Sequence, residues 1–149
     1  MNNSPTPHQK NLRKGRYSQH KQIYHVTATT LNREPIFNDF KTARILINIL
    51  KTSDTLNQTN TLAFVVMPDH IHWLFQLNQT KPLSKLVQSI KSISAHQIGM
   101  PIWQAGYYDH ALRQEEDIQT VARYIVANPI RAGLVQKIAD YPHWDAVWL

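Results

Sequence analysis

The chain has 149 residues, 42% of them hydrophobic, a formal net charge of +6 and no cysteine. That fits one globular unit spanning 1–149, able to bury about two-thirds of its unfolded surface, and it excludes disulfide frameworks, thiolate metal sites and cysteine nucleophiles. No apolar run approaches the roughly 18 residues of a membrane span and no signal-peptide core opens the chain, so a cytoplasmic protein is expected.

Residues 1–20 are rich in Asn, Pro, Gln and Lys, the composition of an arm that stays mobile until bound. Before Glu34 there is no acid, while Lys10, Arg13, Lys14, Arg16, Lys21 and Arg33 are basic. Such an arm suits a polyanion, nucleic acid foremost, although a plain solubilising tail has the same look. Arg13, Lys14, Arg16 and Lys21 are the candidate phosphate contacts.

Ile23–Thr30 is β-branched and alternating, which predicts a strand with Tyr24, Val26 and Ala28 on one face. His25, on the other, reads as a cross-strand packing residue rather than a ligand. After a turn at Asn32–Pro35, Asn38 or Asp39 can cap a helix to about Thr52 with Phe40, Ala43, Ile47 and Leu50 as its apolar stripe. Residues 53–60 are a polar loop. Lys81-Pro82 opens a further helix, with Leu83, Leu86, Val87, Ile90 and Ile93 inward and a stop at Gly99. Its other face carries Lys81, Ser84, Lys85, Gln88, Lys91 and Ser92, equally suited to solvent or to phosphate. Short extended pieces follow around Ala105-Gly106. Glu115, Glu116 and Asp117 place negative charge at the start of a helix that runs to about Asn128, where Pro129 stops it. Tyr141, Trp144 and Trp148 fold back onto the body. Strand, helix, strand, strand, helix, extended pieces and helix make an α+β order. It resembles a ferredoxin-like or RRM-like antiparallel sheet with helices mainly on one face.

Between the first two helices lies LAFVVMPDHIHWLFQL, residues 62–77. It predicts two strands about a turn at Pro68-Asp69. The period of two puts His70, His72, Leu74 and Gln76 on one face, and Ile71, Trp73, Phe75 and Leu77 on the other. Two neighbouring imidazoles are two-thirds of a metal site; a half-exposed sheet also shows such pairs, and His-x-His alone does not choose. In the last helix Tyr124 and Asn128 stand four residues apart, hence on one side. Two imidazole nitrogens and an amide oxygen would leave three positions of an octahedral Mg²⁺ or Mn²⁺ shell for phosphate and water. A phenol ionises only at about pH 10, so a tyrosine nucleophile gains from a cation that polarises the phosphate it attacks. Taken alone, the two residues also read as a half-buried tyrosine and a helix-ending asparagine.

MPDHIHWLF resembles the His-hydrophobic-His signature of the HUH endonuclease superfamily. WQAGYYDHALR from Trp103, followed by DIQTVARYIVANPIRAGLV from Asp117, resembles the REP-associated tyrosine transposases, relatives of the single-tyrosine transposases of bacterial insertion sequences. The likeness runs from about Tyr24 to Trp144, and Tyr-Ile-x-x-Asn-Pro with Ala-Gly-Leu-Val is its most specific part. It implies His70, His72 and Asn128 as ligands of Mg²⁺ or Mn²⁺ and Tyr124 as nucleophile. That tyrosine would cut single-stranded DNA beside a hairpin, leaving a 5′-phosphotyrosine and a free 3′-hydroxyl without nucleotide hydrolysis. Tyr107 and Tyr108 compete for the role, but only Tyr124 matches the motif and has a polar partner one turn on. His110 falls in the matched stretch with a supporting part in DNA contact or packing. Asp69 either supports the histidines or is a plain turn residue. Hairpin or single-stranded DNA is the implied partner, with no membrane or nucleotide cofactor, and a monomer is favoured over a homodimer. The rival readings are a catalytically silent hairpin-binding module of the same fold and a metal phosphohydrolase that uses activated water.

Overall fold

The computed structural model describes residues 21–78, 81–113 and 117–148. Arg13, Lys14, Arg16, Glu115 and Glu116 lie outside them. Five strands form one antiparallel sheet: β1 (Ile23–Thr29), β2 (Thr59–Met67), β3 (His70–Leu77), β4 (Tyr108–Ala111) and β5 (Trp144–Ala146), in the order β4-β1-β3-β2-β5. The first four strands stand in the ferredoxin-like order, and β5 extends the β2 edge. Helices α1 (Phe40–Thr55) and α2 (Leu83–Ile98) pack on one face, and the shorter α3 (Ile118–Val126) on the other. None of the described helices is long and apolar enough to cross a membrane.

Side-chain alternation divides the strands cleanly. In β1, Tyr24, Val26 and Ala28 are buried against α1 and α2, as are Ile71, Trp73, Phe75 and Leu77 of β3. Each such side chain contributes about 1.5–3 kcal/mol relative to exposure. The other set, Val65, Met67 and Leu74, packs beneath Ala122, Ile125 and Val126 of α3. The β2–β3 hairpin turns through Pro68 and Asp69 alone, with Met67 opposite His70. A turn this short leaves no freedom of register, so both histidines face the α3 side.

The helices differ in detail from the sequence expectation. Asp39 caps α1, accepting from the Thr42 amide at 2.9 Å, but the helix continues to Thr55. Its last turn uses the expected loop: Asp54 Oδ1 accepts from the Thr59 hydroxyl at 2.6 Å and from the Thr61 amide at 3.1 Å, tying helix end to strand start. Phe40 leaves the stripe and is exposed, lying against His143. Ile93 is exposed too, and Ser94 takes the buried position by bonding the Ile90 carbonyl at 2.7 Å. Gly99 closes α2 with φ +95°, a left-handed conformation that glycine adopts without strain. Pro129 does not end the chain's helical course. After a break at Ala127 a further turn, α4 (Asn128–Arg131), begins, and proline sits at its start, where an amide hydrogen has no intrahelical acceptor to lose.

Candidate active site

The β2–β3 hairpin presents His70 and His72 side by side, with ring centroids 5.0 Å apart and rings nearly perpendicular. Each has its Nδ1 occupied. For His70 the partner is Asp69 Oδ1 at 2.8 Å, and Asp69 Oδ2 accepts from Arg33 Nε at 3.1 Å. The Asp69 carboxyl is held below its usual range by His70 and Arg33, against the opposing effect of its own partial burial. Arg33 reaches it from a 3₁₀ turn, Leu31–Arg33, in which Asn32 and Arg33 both take positive φ. Two consecutive non-glycine residues in that region are costly, and the turn is anchored by the Thr30 hydroxyl, which donates to the carbonyls of Glu34 and Asp69.

For His72 the partners are on β1: His25 Nε2 lies 3.0 Å from its Nδ1 and Thr27 Oγ1 lies 3.1 Å from it. Burial, then the neighbouring His25, His70 and Arg131, push the His72 imidazole down to about 3. Burial and His110 likewise take His25 down to about 4. Both rings are therefore neutral at physiological pH. His70 Nδ1 donates to the Asp69 carboxylate, which leaves the lone pair on its Nε2; His72 has the same form in the tautomer whose Nδ1 donates to His25. This is the arrangement in which a hydrogen-bonded partner orients a metal-binding histidine.

The other half of the site comes from α3 and the turn after it. Asp117 caps α3, its carboxylate accepting from the Gln119 amide at 3.0 Å. The buried residues Ala122, Ile125 and Val126 set the helix on the sheet, which leaves Tyr124 at the margin, 57% exposed. The break before Pro129 frees the Tyr124 carbonyl for a side-chain donor. Arg131 Nη2 bonds it at 2.6 Å while the guanidinium lies 3.8 Å over the Tyr124 ring. Arg131 thus touches Tyr124 at its backbone carbonyl and at its ring, and its charge also acts on His72. Asn128 begins α4, and its amide nitrogen is buried with no hydrogen-bond partner among the described residues. An unpaired buried donor costs about 1–3 kcal/mol. A half-turn of the amide would bring the oxygen there instead, which a cation satisfies.

His70 and His72 adjoin each other on β3, and Asn128 stands on the turn that follows α3. Among the described residues no cluster of three or more His, Cys, Asp or Glu could hold a metal. His110 stands on β4 directly across from His25, at the far end of a row of imidazoles. Lys21 is exposed, two residues before β1, about 20 Å along the strand direction from the Thr27–His72 pair. Tyr107 is buried, and burial with nearby Asp109 and Tyr24 drives its phenol well above the usual range, which makes it a poor nucleophile. Three contributors escaped the sequence reading. Thr27 and Arg131 carried no signal without the register and the helix break. His25 did carry one, since its alternation put it opposite Tyr24, Val26 and Ala28.

Residues 18–128 match the family model described as "Transposase IS200 like". The chain is 33% identical over 82 residues to the REP-associated tyrosine transposase of Escherichia coli K12, covering 54% of this chain and 50% of that one. It is 27% identical over 99 residues to a Haemophilus influenzae protein assigned to the same class, covering 56% of each. The chain spans about half the length of these curated relatives. A solved REP-associated tyrosine transposase bound to a REP hairpin superposes with a TM-score of 0.69 and 25% identity, over 84% of this chain and 77% of that one. A histidine pair, a tyrosine helix on the same sheet face and a match through both stretches agree: the chain belongs to the IS200-like transposase family.

Proposed function

We propose that this protein nicks and rejoins single-stranded DNA beside a hairpin, with Tyr124 as nucleophile. The observation that carries this reading is Arg131, whose guanidinium lies 3.8 Å over the Tyr124 ring and whose charge acts on His72. The Tyr124 phenol oxygen bonds to phosphorus as the bond from phosphorus to the 3′-oxygen breaks. The phenol proton passes to solvent, and the leaving oxygen takes up a proton to become a free 3′-hydroxyl. A 5′-phosphotyrosine remains, and a 3′-hydroxyl from another strand reverses the step.

Transposases of this family are generally metal-dependent, and the residues fit a hard cation. His70 and His72 would offer Nε2 and Asn128 its amide oxygen. Mg²⁺ or Mn²⁺ held there would polarise the scissile phosphate and offset charge in the transition state by several kcal/mol. Asp69 and His25 orient the two imidazoles, and Arg131 fixes the attacking ring. In this reading a single copy supplies ligands and nucleophile together and the protein acts as a monomer. The REP hairpin bound by the solved relative supports hairpin DNA as the partner. Arg13, Lys14, Arg16 and Lys21 add phosphate contacts in this reading. Neutralising them should reduce the salt slope of binding by roughly 0.7–0.9 per contact, and an unchanged slope removes the arm.

The test uses single-stranded DNA carrying imperfect palindromes from beside the gene, with Mn²⁺ or Mg²⁺, on a denaturing gel. A protein–DNA adduct that disappears in Tyr124→Phe and His72→Ala is the expected result. Cleavage that persists in Tyr124→Phe with no adduct would establish water as nucleophile. Binding without cleavage would make the protein a silent hairpin-binding module.

A further inference from the structure

Tyr108 has no part in the chemistry above, yet its place is specific. Directly opposed residues of an antiparallel sheet point to one side, and the register runs Tyr108–Thr27–His72–Val65–Trp144 across the five strands. Tyr108 therefore shares the face of His72, with only Thr27 between them. Two inter-strand steps separate the residues, about 10 Å. Thr27 is small and its hydroxyl is turned to His72 Nδ1, so the sheet itself places no large side chain between the two.

Its neighbours point the other way. Tyr107 and Asp109 are both buried, 9% and 8% exposed, whereas Tyr108 is 57% exposed. Buried flanks fix the backbone of a four-residue edge strand, so the open phenol ring costs little entropy to use. A lone exposed aromatic is ordinary on any surface. One held beside a candidate phosphate-cutting centre on the open face of an antiparallel sheet has the form of a base-stacking platform. Such platforms bind unpaired bases whatever their identity, because every base has a π-face.

We infer that Tyr108 stacks on an unpaired base of the DNA strand next to the scissile phosphate, and so fixes which phosphodiester reaches His72 and Tyr124. The separation is one that a nucleotide can bridge from its base to a neighbouring phosphate. The inference rests on the nicking function proposed above and adds the subsite that sets the cutting position.

The test uses full-length protein in a Tyr124→Phe background and a DNA hairpin with single-stranded flanks on both sides. 2-Aminopurine is placed at each unpaired position in turn. Quenching at one position is expected, retained in Tyr108→Phe and lost in Tyr108→Ala and Tyr108→Leu. Affinity for the flanked hairpin should fall roughly 5- to 100-fold in the latter two, with affinity for the flankless hairpin unchanged. With Tyr124 restored, Tyr108→Leu should spread the cuts over adjacent phosphates. Native melting of Tyr108→Leu excludes a folding defect. If the wild-type protein nicks DNA but Tyr108→Ala and Tyr108→Leu bind, quench and cut as it does, the stacking role is wrong and the nicking function stands. If the wild type binds no flanked hairpin, both fall together.

Discussion

The two faces of the sheet are built from the same strands on opposite principles. On one, Tyr24, Val26, Phe64, Val66, Ile71, Trp73 and Phe75 are buried beneath α1 and α2, and Trp73 Nε1 donates to Thr61 Oγ1 at 2.9 Å. On the other, α3 covers Val65, Met67 and Leu74, and the same face carries His70, His72, His25, Thr27, His110 and Tyr108. Stability is concentrated on the first face. The second gives positions to polar and titratable side chains instead. Because consecutive residues of β3 alternate between the two, the strand that anchors the core also aims the imidazoles, and a packed strand fixes them better than a loop would.

If that division is right, substitutions three residues apart on β3, on opposite faces, should fail in different ways. His72→Ala should abolish adduct formation on a denaturing gel while leaving thermal unfolding close to wild type. Phe75→Ala should instead cost about 3–5 kcal/mol of stability through the cavity it opens, read by urea denaturation, with the surviving folded fraction still active. A His72→Ala protein that unfolds as readily as Phe75→Ala would erase the contrast.

The next effect is at Arg131. Removing its charge in Arg131→Gln should slow single-turnover adduct formation on the order of 100-fold, the loss typical for one preorganised donor. Hairpin affinity should barely change. Arg131→Lys, which keeps charge without the planar stack over Tyr124, should recover only part of the rate.

A smaller loss is expected at His25. If it orients His72, His25→Leu should weaken Mn²⁺ binding roughly 10- to 100-fold, as loss of a ligand's hydrogen-bond partner generally does. His25→Gln, whose carbonyl can accept from His72 Nδ1, should restore most of it. Nitrogen chemical shifts of the metal-free protein would show the His72 tautomer fixed in wild type and His25→Gln and mixed in His25→Leu. Equal affinities in all three would return His25 to the packing role first read for it.

The smallest effect lies at the rim of the second face. Tyr141 donates to the Val66 carbonyl at 2.6 Å, and burial pushes its phenol up to about 12. The folded state favours the neutral phenol, so this contribution is fully present below the ordinary phenol range, about pH 10. It is lost as pH rises from there through about 12. Tyr141→Phe should cost about 1 kcal/mol at neutral pH and flatten the alkaline fall in melting temperature. An unchanged fall would assign alkaline unfolding to other groups.

Much of this could be read from residue order. The period of two in HIHWLFQL decided which side chains of β3 face together, and the two-residue hairpin at Pro68-Asp69 followed from turn chemistry. The element order gave the ferredoxin-like sheet, whereas the break at Ala127 put Asn128 on a separate turn from the Tyr124 helix. Local geometry settles these points, because backbone sterics and hydrogen bonding act over a few residues. Other features needed distant segments to meet. His25 gained a partner only when β1 paired with β3, 47 residues away in sequence. Arg131 meets Tyr124 across the break at Ala127, and Ile93 and Phe40 are exposed although helical spacing put them on the apolar stripes. Tyr107 and Tyr108 are adjacent and alike in sequence, and the pairing of β4 with β1 buried one and exposed the other. Periodicity fixes which residues share a face. Which face is covered, and by what, depends on long-range packing that no local pattern records.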